Sequence, residues 1–501
     1  MRRGAAPHDG TDAPGRGRAG SPFALGDAEQ ELLARRIARA LRRARSSGAP
    51  VLASLSVALG PEVDPAAVAC ASRRPGEPWF LFEQPDRGAR ALAAVGEALE
   101  LSASGPRRFA ELRERWRELS ASAVGEDGGG APGAGPGVPQ GVVAVGGFAF
   151  APEGGGSPHW QQFAPARLSV PEAALVRRRA GGEMLVSLTL AALIAPDDDA
   201  GERQASLLAR AAELRCSPLP LLDPAPAGRF QVLSALPPEH YEQAVGRAVE
   251  MIAAGRLEKI VLAREVQVHA PGAYDPAAIF GVLREEFPSC FVFCVGRADA
   301  ALIAASPELL VRREGQRVST LALAGSSRRS ADPAVDAHLG EQLLRDESYR
   351  EEHAIVARRI ERTLRPHSVW VAAAPEPELV RIANIQHLAT PIRAQLAAPV
   401  EALELAALMH PTPAVGGEPL AVAAPLIPAL EGLDRGWYAG PVGWTDTAGD
   451  GEFCVALRCA LLEGAVARCY AGNGIVRDSD PARELAETEI KLSALLPLLA
   501  S

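Results

Sequence analysis

Short apolar runs bounded by turn residues alternate along this chain with longer segments of helical character. That pattern predicts strands interleaved with helices. Residues 27–45 predict a helix, 51–59 and 79–83 two strands, and Gln84-Pro85-Asp86 a turn. Residues 88–119 predict a helical stretch, and 141–150, apolar around a Gly-Gly pair, a buried strand. A strand over 184–195 and a helix over 197–214 follow. A second group of elements opens with a helix over 240–254, with Tyr241, Val245, Ala248 and Ile252 on one side. Residues 259–269 predict a strand, 302–305 and 308–313 are strand-like, and Glu314-Gly315-Gln316 turns the chain back into 317–324. Residues 341–364 predict one long helix, and 453–462 with 465–470 a hairpin about Glu463-Gly464. Long antiparallel strands interleaved with helices point to an α+β fold of sheet layers flanked by helices.

Gly- and Pro-rich stretches divide this pattern. Residues 125–141 read as a surface loop, and the Pro-rich break at 217–228 separates an N-terminal part (23–228) from a motif-dense C-terminal region (229–501). Residues 1–22 read as a disordered tail without the apolar core of a signal peptide. No apolar run reaches the length of a membrane span. Composition adds exclusions more than identity. The 501 residues are 48% apolar and carry a net charge of -9, so no basic excess is present to neutralise nucleic-acid phosphates. Seven cysteines, an odd number without a C-x-x-C pair, fit core thiols in a reducing cytoplasm.

Candidate chemistry clusters in the C-terminal region. Lys259 opens an apolar strand. A Lys there either snorkels to solvent or sits desolvated, where its pKa falls from about 10.4 towards neutrality, as suits a general base. Glu308, after Ser306-Pro307, stands at the start of another apolar strand, either as an ordinary entrance charge or as an acid with a raised pKa. Gly325 and Ser326 let a backbone approach a ligand closely, or simply form a turn. Of the acids around residue 350, Glu352 falls nearest the inner helical face. Alternation puts Arg458 on one face with Cys454, Ala456 and Ala460, where its fork either grips a carboxylate or faces solvent. His387 and His410 are single histidines, the kind more often structural than catalytic. Residues 471–476 (Ala-Gly-Asn-Gly-Ile-Val) read as a glycine turn before a helix capped by Asp480, with Pro481 in its first turn. Glu484, Glu487 and Lys491 follow at i, i+3 and i+7, on one helical face. Together with Glu352, such a face either holds a hard divalent cation or is a solvated ion-paired surface.

In this order, the segments resemble the chorismate-utilising enzymes, and most of all their isochorismate-forming members. The resemblance rests on residues 259–264 (Lys-Ile-Val-Leu-Ala-Arg), 306–308 (Ser-Pro-Glu), 323–326 (Leu-Ala-Gly-Ser), 352–353 (Glu-His) and 387–391 (His-Leu-Ala-Thr-Pro). It continues through 410–417 (His-Pro-Thr-Pro-Ala-Val-Gly-Gly), 438–443 (Tyr-Ala-Gly-Pro-Val-Gly), Arg458, 471–476 and 484–491. Residues 83–86 and 146–150 match more loosely. It implies a large curved antiparallel sheet flanked by helices and a Mg²⁺-dependent conversion of chorismate to isochorismate. Lys259 would activate water for attack at C2 of the ring, and Glu308 would protonate the departing C4 hydroxyl. Glu352 and Glu487 would bind Mg²⁺ with Glu484 close by. Lys491 would contact the ring carboxylate, while Arg458 and the Gly474 backbone would bind the enolpyruvyl carboxylate. Gly325, Ser326 and Tyr438 would line the substrate site, with His387 near the ring. No glutaminase subunit, nucleic acid or membrane is implied, and a cytoplasmic monomer is expected. One departure stands out: where many members carry an acid three residues before the position of Glu352, this chain has Tyr349. Lys259 argues against the ammonia-using anthranilate synthases. Aminodeoxychorismate synthase and salicylate synthase are the nearer alternatives, and Ser326 in place of the latter's usual Thr favours release of isochorismate. A non-catalytic chorismate-binding protein would be expected to lose the base, acid or metal ligands, all of which this chain keeps. The product would feed menaquinone or siderophore formation.

Overall fold

The computed structural model describes residues 21–125, 139, 141–223, 226–382 and 384–500. The expected N-terminal tail falls almost wholly outside the described residues, as does most of the 125–141 loop.

The alternating runs pair into two large antiparallel sheets with helices packed on them, as the α+β reading expects. One sheet has twelve strands. It runs from Val51–Leu59 through Glu183–Ile194, Ala173–Ala180, Arg90–Val95, Trp79–Gln84, Phe291–Arg297, Ala300–Ser306, Cys459–Glu463, Val466–Ile475 and Lys259–His269 to Gly417–Glu418, with Gln231–Ser234 also paired to Lys259–His269. The other has ten and runs from Ser368–Ala373 through Ile385–Leu396, Arg317–Arg328, Leu309–Glu314, Gly451–Val455, Pro441–Asp446, Val143–Phe148 and Ala166–Val170 to Leu99–Ala103, with Glu378–Arg381 also paired to Ile385–Leu396. Strands from before and after residue 228 are neighbours in both sheets: Trp79–Gln84 pairs with Phe291–Arg297, and Val143–Phe148 with Pro441–Asp446.

Helices cover these sheets where their apolar stripes dictate. In Asp27–Ser47 the residues Leu33, Ile37, Ala40, Leu41 and Ala44 are buried, and the helix packs on the Val51–Leu59 strand. Gly48, at φ 73, ends it in the left-handed conformation. No helix among the described residues is long and apolar enough to cross a membrane. All seven cysteines are free, five of them buried, while Cys216 is exposed and so is not a core thiol.

Four sequence expectations are corrected. Residues 88–119 do not form one helical stretch. They give the strands Arg90–Val95 and Leu99–Ala103 before the helix Arg108–Ser122 begins. The Ala-rich run of 90–95 is held extended between two partner strands, and pairing overrides its helix propensity. The helix expected over 341–364 is two helices, Pro333–Arg345 and Glu347–Leu364. Asp346 is extended, and its carboxylate accepts from the backbone N–H groups of Ser348 (3.0 Å) and Tyr349 (3.2 Å), which caps the second helix. The run 453–462 is not one strand: Gly451–Val455 belongs to one sheet and Cys459–Glu463 to the other, with residues 456–458 crossing between them. The glycine stretch before the last long helix is not a turn. Residues 472–475 end the strand Val466–Ile475 in register with Lys259–His269, because the glycines remove side chains that would block that pairing face.

Asp346 therefore sets the start of the helix that carries Glu352. Asp346→Ala is expected to lower unfolding stability by about 1 kcal/mol. Urea denaturation would read this as a lower midpoint at unchanged slope. An unmoved midpoint would remove the cap from the account of this helix.

Candidate active site

Lys259 is the first residue of its strand, and alternation puts it on one face with Val261. Val261 pairs with Gly474 on the neighbouring strand. A Cβ built on Gly474 would lie 2.3 Å from Glu352 Oε1 and 2.5 Å from Lys259 Cε. The bare backbone there lets Lys259 Nζ reach Glu352 Oε1 at 2.8 Å. Lys259 is 1% exposed. It is therefore desolvated, not snorkelling, and its charge is answered by a carboxylate from a helix nearly a hundred residues away in sequence.

Glu308 follows Pro307 at the end of the Ala300–Ser306 strand and is buried. Its backbone carbonyl accepts from Val455 N–H at 3.0 Å. Burial pushes the carboxyl up to about 8, against the opposing fields of Lys259 and Arg458. Glu308 is thus protonated at neutral pH and can donate a proton.

The Pro481–Leu492 helix starts at Asp480, whose carboxylate accepts from Arg483 N–H at 2.9 Å. Lys491 Nζ lies 2.7 Å from Glu487 Oε1, 2.7 Å from Asn473 Oδ1 and 3.0 Å from the Gly472 carbonyl. Asn473 Nδ2 donates to Glu484 Oε2 at 3.0 Å. Asn473 thus clamps the helix to the strand, a role the sequence reading missed. The signal was present as a polar amide between two glycines. Burial, then the fields of Glu487 and Glu352, push Glu484 up to about 7. Burial, then the fields of Glu487, Glu484 and Glu352, push the Tyr349 phenol up to about 12. Among the described residues no three His, Cys, Asp or Glu side chains are gathered closely enough to enclose a metal ion.

Arg458 is not on a strand face with Cys454, Ala456 and Ala460, as alternation suggested. It lies in the crossing between the sheets at φ 49. Its Nη2 lies 3.2 Å from His387 Nε2, and His387 Nδ1 lies 3.2 Å from the Gly325 carbonyl. Burial and the charges of Arg458 and Lys491 hold the His387 imidazole well below its ordinary pKa. Gly325 sits at φ 72 in a bulge of Arg317–Arg328, which continues as a strand past the expected turn. Ser326 is opposite His387 in register. Tyr438 stacks on Tyr470, with ring centres 5.1 Å apart. His410 is elsewhere: its Nε2 lies 3.0 Å from the Phe150 carbonyl, and its ring packs against Phe109 and Phe150.

Glu308, Gly325, Ser326, Glu352, His387, Tyr438, Arg458, Gly474, Glu484, Glu487 and Lys491 all line one cavity of about 600 Å³, with Lys259 in its wall behind Gly474. That volume suits a small organic ligand. Arg435, also missed from sequence, braces the wall: it is buried, paired with Glu431, and donates to the carbonyls of Val415 (2.7 Å) and Val261 (3.0 Å).

The family model described as chorismate binding enzyme matches residues 39–500. The chain belongs to that family. It is 38% identical to a salicylate biosynthesis isochorismate synthase of Pseudomonas aeruginosa over 92% of this chain and 93% of that protein. It is 34% identical to the isochorismate synthase MenF of Bacillus subtilis over 72% of this chain and 75% of that protein. The structure of MenF, the menaquinone-specific isochorismate synthase from Escherichia coli, superposes with a TM-score of 0.73 at 26% identity, covering 92% of this chain and 99% of that one. In this chorismate-binding enzyme the buried acid and the glutamate-bearing helix meet around a single cavity, with the buried lysine beside Gly474 of its wall.

The raised pKa of Glu308 has a sign. Between the free carboxyl value near 4.5 and about 8, the folded chain holds a proton that the unfolded chain has lost. The contribution of Glu308 to stability therefore falls as pH rises through that window. Glu308→Gln is expected to gain stability over the parent chain progressively from pH 5 to pH 8, by on the order of a few kcal/mol. Denaturant titrations of both proteins across that range test it, and a pH-independent difference would rule out the shifted carboxyl.

Proposed function

We propose that this protein is an isochorismate synthase, an isomerase that interconverts chorismate and isochorismate. The observation that carries the reading is a buried glutamate with a raised pKa on the wall of a cavity that Arg458 and Lys491 also line, with a buried lysine beside Gly474 of that wall. Lys259, as the free amine once the proton of its ion pair with Glu352 has left, takes a proton from the water that attacks C2 of the ring. The ring double bonds shift, and Glu308 gives its proton to the hydroxyl leaving C4, so that one water enters and one departs. An amine base and a carboxylic acid in one site, each buried, form the opposed pair that acid–base catalysis needs.

Glu352, Glu484 and Glu487 offer hard carboxylate oxygens towards one space, and Glu484 is raised by burial and then by the fields of the other two. This donor set fits Mg²⁺, which takes one or two protein carboxylates and completes its shell with water and ligand oxygens, so an enclosing cage is not required. When bound, Mg²⁺ would supply positive charge for the ring carboxylate. Lys491 stands beside Glu487 at the same end. Arg458 would grip the enolpyruvyl carboxylate, with the Gly474 backbone and Tyr438 beside it.

Water as nucleophile needs no ammonia and hence no glutaminase partner. The buried free thiols suit a reducing cytoplasm, and we expect a monomer. The product would enter menaquinone or siderophore formation. Incubating the purified chain with chorismate and Mg²⁺ should give isochorismate, identified by mass spectrometry, without release of pyruvate. Salicylate with pyruvate, or turnover only after ammonia is added, would sink this reading. Lys259→Ala is expected to cut kcat by about 10²–10⁴, the range of a general base. Near-parental turnover in that variant would remove Lys259 from the role. Chelation with EDTA should abolish turnover and restored Mg²⁺ should return it. Full activity in EDTA would overturn the metal assignment.

A further inference from the structure

Arg458 enters the cavity from a left-handed backbone conformation that non-glycine residues rarely adopt, at the crossing between the two sheets. What orients its fork is therefore a question about its side-chain partner. Arg458 Nη2 lies 3.2 Å from His387 Nε2, and His387 Nδ1 lies 3.2 Å from the Gly325 carbonyl oxygen. A guanidinium only donates hydrogen bonds and a carbonyl only accepts them. His387 Nδ1 must then carry the proton, and Nε2 must carry the lone pair. An imidazolium would oppose two N–H groups at Nε2, and the other tautomer would also oppose two lone pairs at Nδ1. Both ring nitrogens are occupied, so His387 has none left for the substrate or for proton transfer.

The bulge that turns the Gly325 carbonyl towards the ring is part of the same device. The ladder shifts between Ala324 and Ser326, and Gly325 takes φ 72. A Cβ there would lie 3.3 Å from Tyr349 Cβ. The order of cause runs from the Gly325 bulge to the His387 tautomer to the Arg458 fork.

We propose that His387 is a positioning residue that acts through Arg458. It is a neutral imidazole fixed by the Gly325 carbonyl, and its Nε2 lone pair holds the guanidinium towards a substrate carboxylate. This rests on reading Arg458 as the grip on the enolpyruvyl carboxylate. His387→Leu, which deletes both hydrogen bonds, is expected to raise the KM for chorismate about tenfold or more, the scale of a lost hydrogen bond to a charged group. Its effect on kcat should be smaller. His387→Gln, whose amide can donate to Gly325 and accept from Arg458, should recover most of the loss. On an Arg458→Ala background, His387→Leu should add little. Three kinetic outcomes would each overturn the proposal: a fall in kcat at unchanged KM, no recovery with Gln, or additive losses in the double variant. Nitrogen NMR of the parent chain supplies a test independent of turnover. It should show His387 as the neutral tautomer protonated at Nδ1, and an imidazolium or the Nε2-protonated form would also overturn the proposal. A parent chain that does not convert chorismate defeats the functional reading instead, and the NMR result still decides the geometry.

Discussion

Three distant pieces of chain meet only because one strand position lacks a side chain. At Gly474 any Cβ would collide with both the Lys259 stem and the Glu352 carboxylate. The ion pair between them joins the strand Lys259–His269 to the helix Glu347–Leu364, across the strand Val466–Ile475. Burying a lysine without a partner would cost several kcal/mol, so strand pairing, helix placement and the glycine are mutually required. Neighbouring Gly472 extends the constraint. A Cβ there would lie 2.8 Å from the Leu262 carbonyl, and its own carbonyl accepts from Lys491. The stretch between Gly472 and Gly474 is thus the common floor of the cavity.

The second constraint is the seam between the sheets. Residues 456–458 leave one sheet and enter the other, and Arg458 sits at the crossing. Ser306-Pro307-Glu308 makes the matching crossing nearby, since Ala300–Ser306 lies in one sheet and Leu309–Glu314 in the other. Backbone hydrogen bonds tie the two seams together: Ala305 N–H donates to the Arg458 carbonyl at 3.1 Å, and Val455 N–H to the Glu308 carbonyl at 3.0 Å. The acid and the arginine are therefore held relative to one another by backbone hydrogen bonds from the flanking strands. Irregular backbone supported by flanking strands is where functional side chains can be aimed inward without breaking a ladder.

Much of this was legible in sequence where one local rule dominated. The strands 51–59 and 259–269 show runs of β-branched and aliphatic residues, and the helix after Asp480 announces its own cap. Legibility failed where tertiary pairing outweighed local preference. The alanines of 90–95 favour a helix but are strand because strands flank them on both sides. Arg458 was misplaced because alternation presumes a continuous strand, and nothing local in Ala-Leu-Arg marks a change of sheet. Asn473 and Arg435 escaped notice because their roles are contacts across long sequence distances. The cavity's other members were identified by family resemblance in order along the chain, since each segment alone admitted an ordinary structural reading.

The charges of the cavity show why Arg458 and the acids differ in kind. Lys259 is matched by Glu352 and Lys491 by Glu487, so two of the cations already face carboxylates. Glu308 is neutralised by burial, and Glu484 is pushed towards neutrality. Arg458 is different: it is half-buried, and its hydrogen-bond partner His387 is a ring held neutral, so that contact supplies no countercharge. A buried charge paired with a neutral acceptor is unfavourable unless something else compensates it. On the proposed reading, a substrate carboxylate would supply that compensation, beside the fields of Glu487 and Glu308.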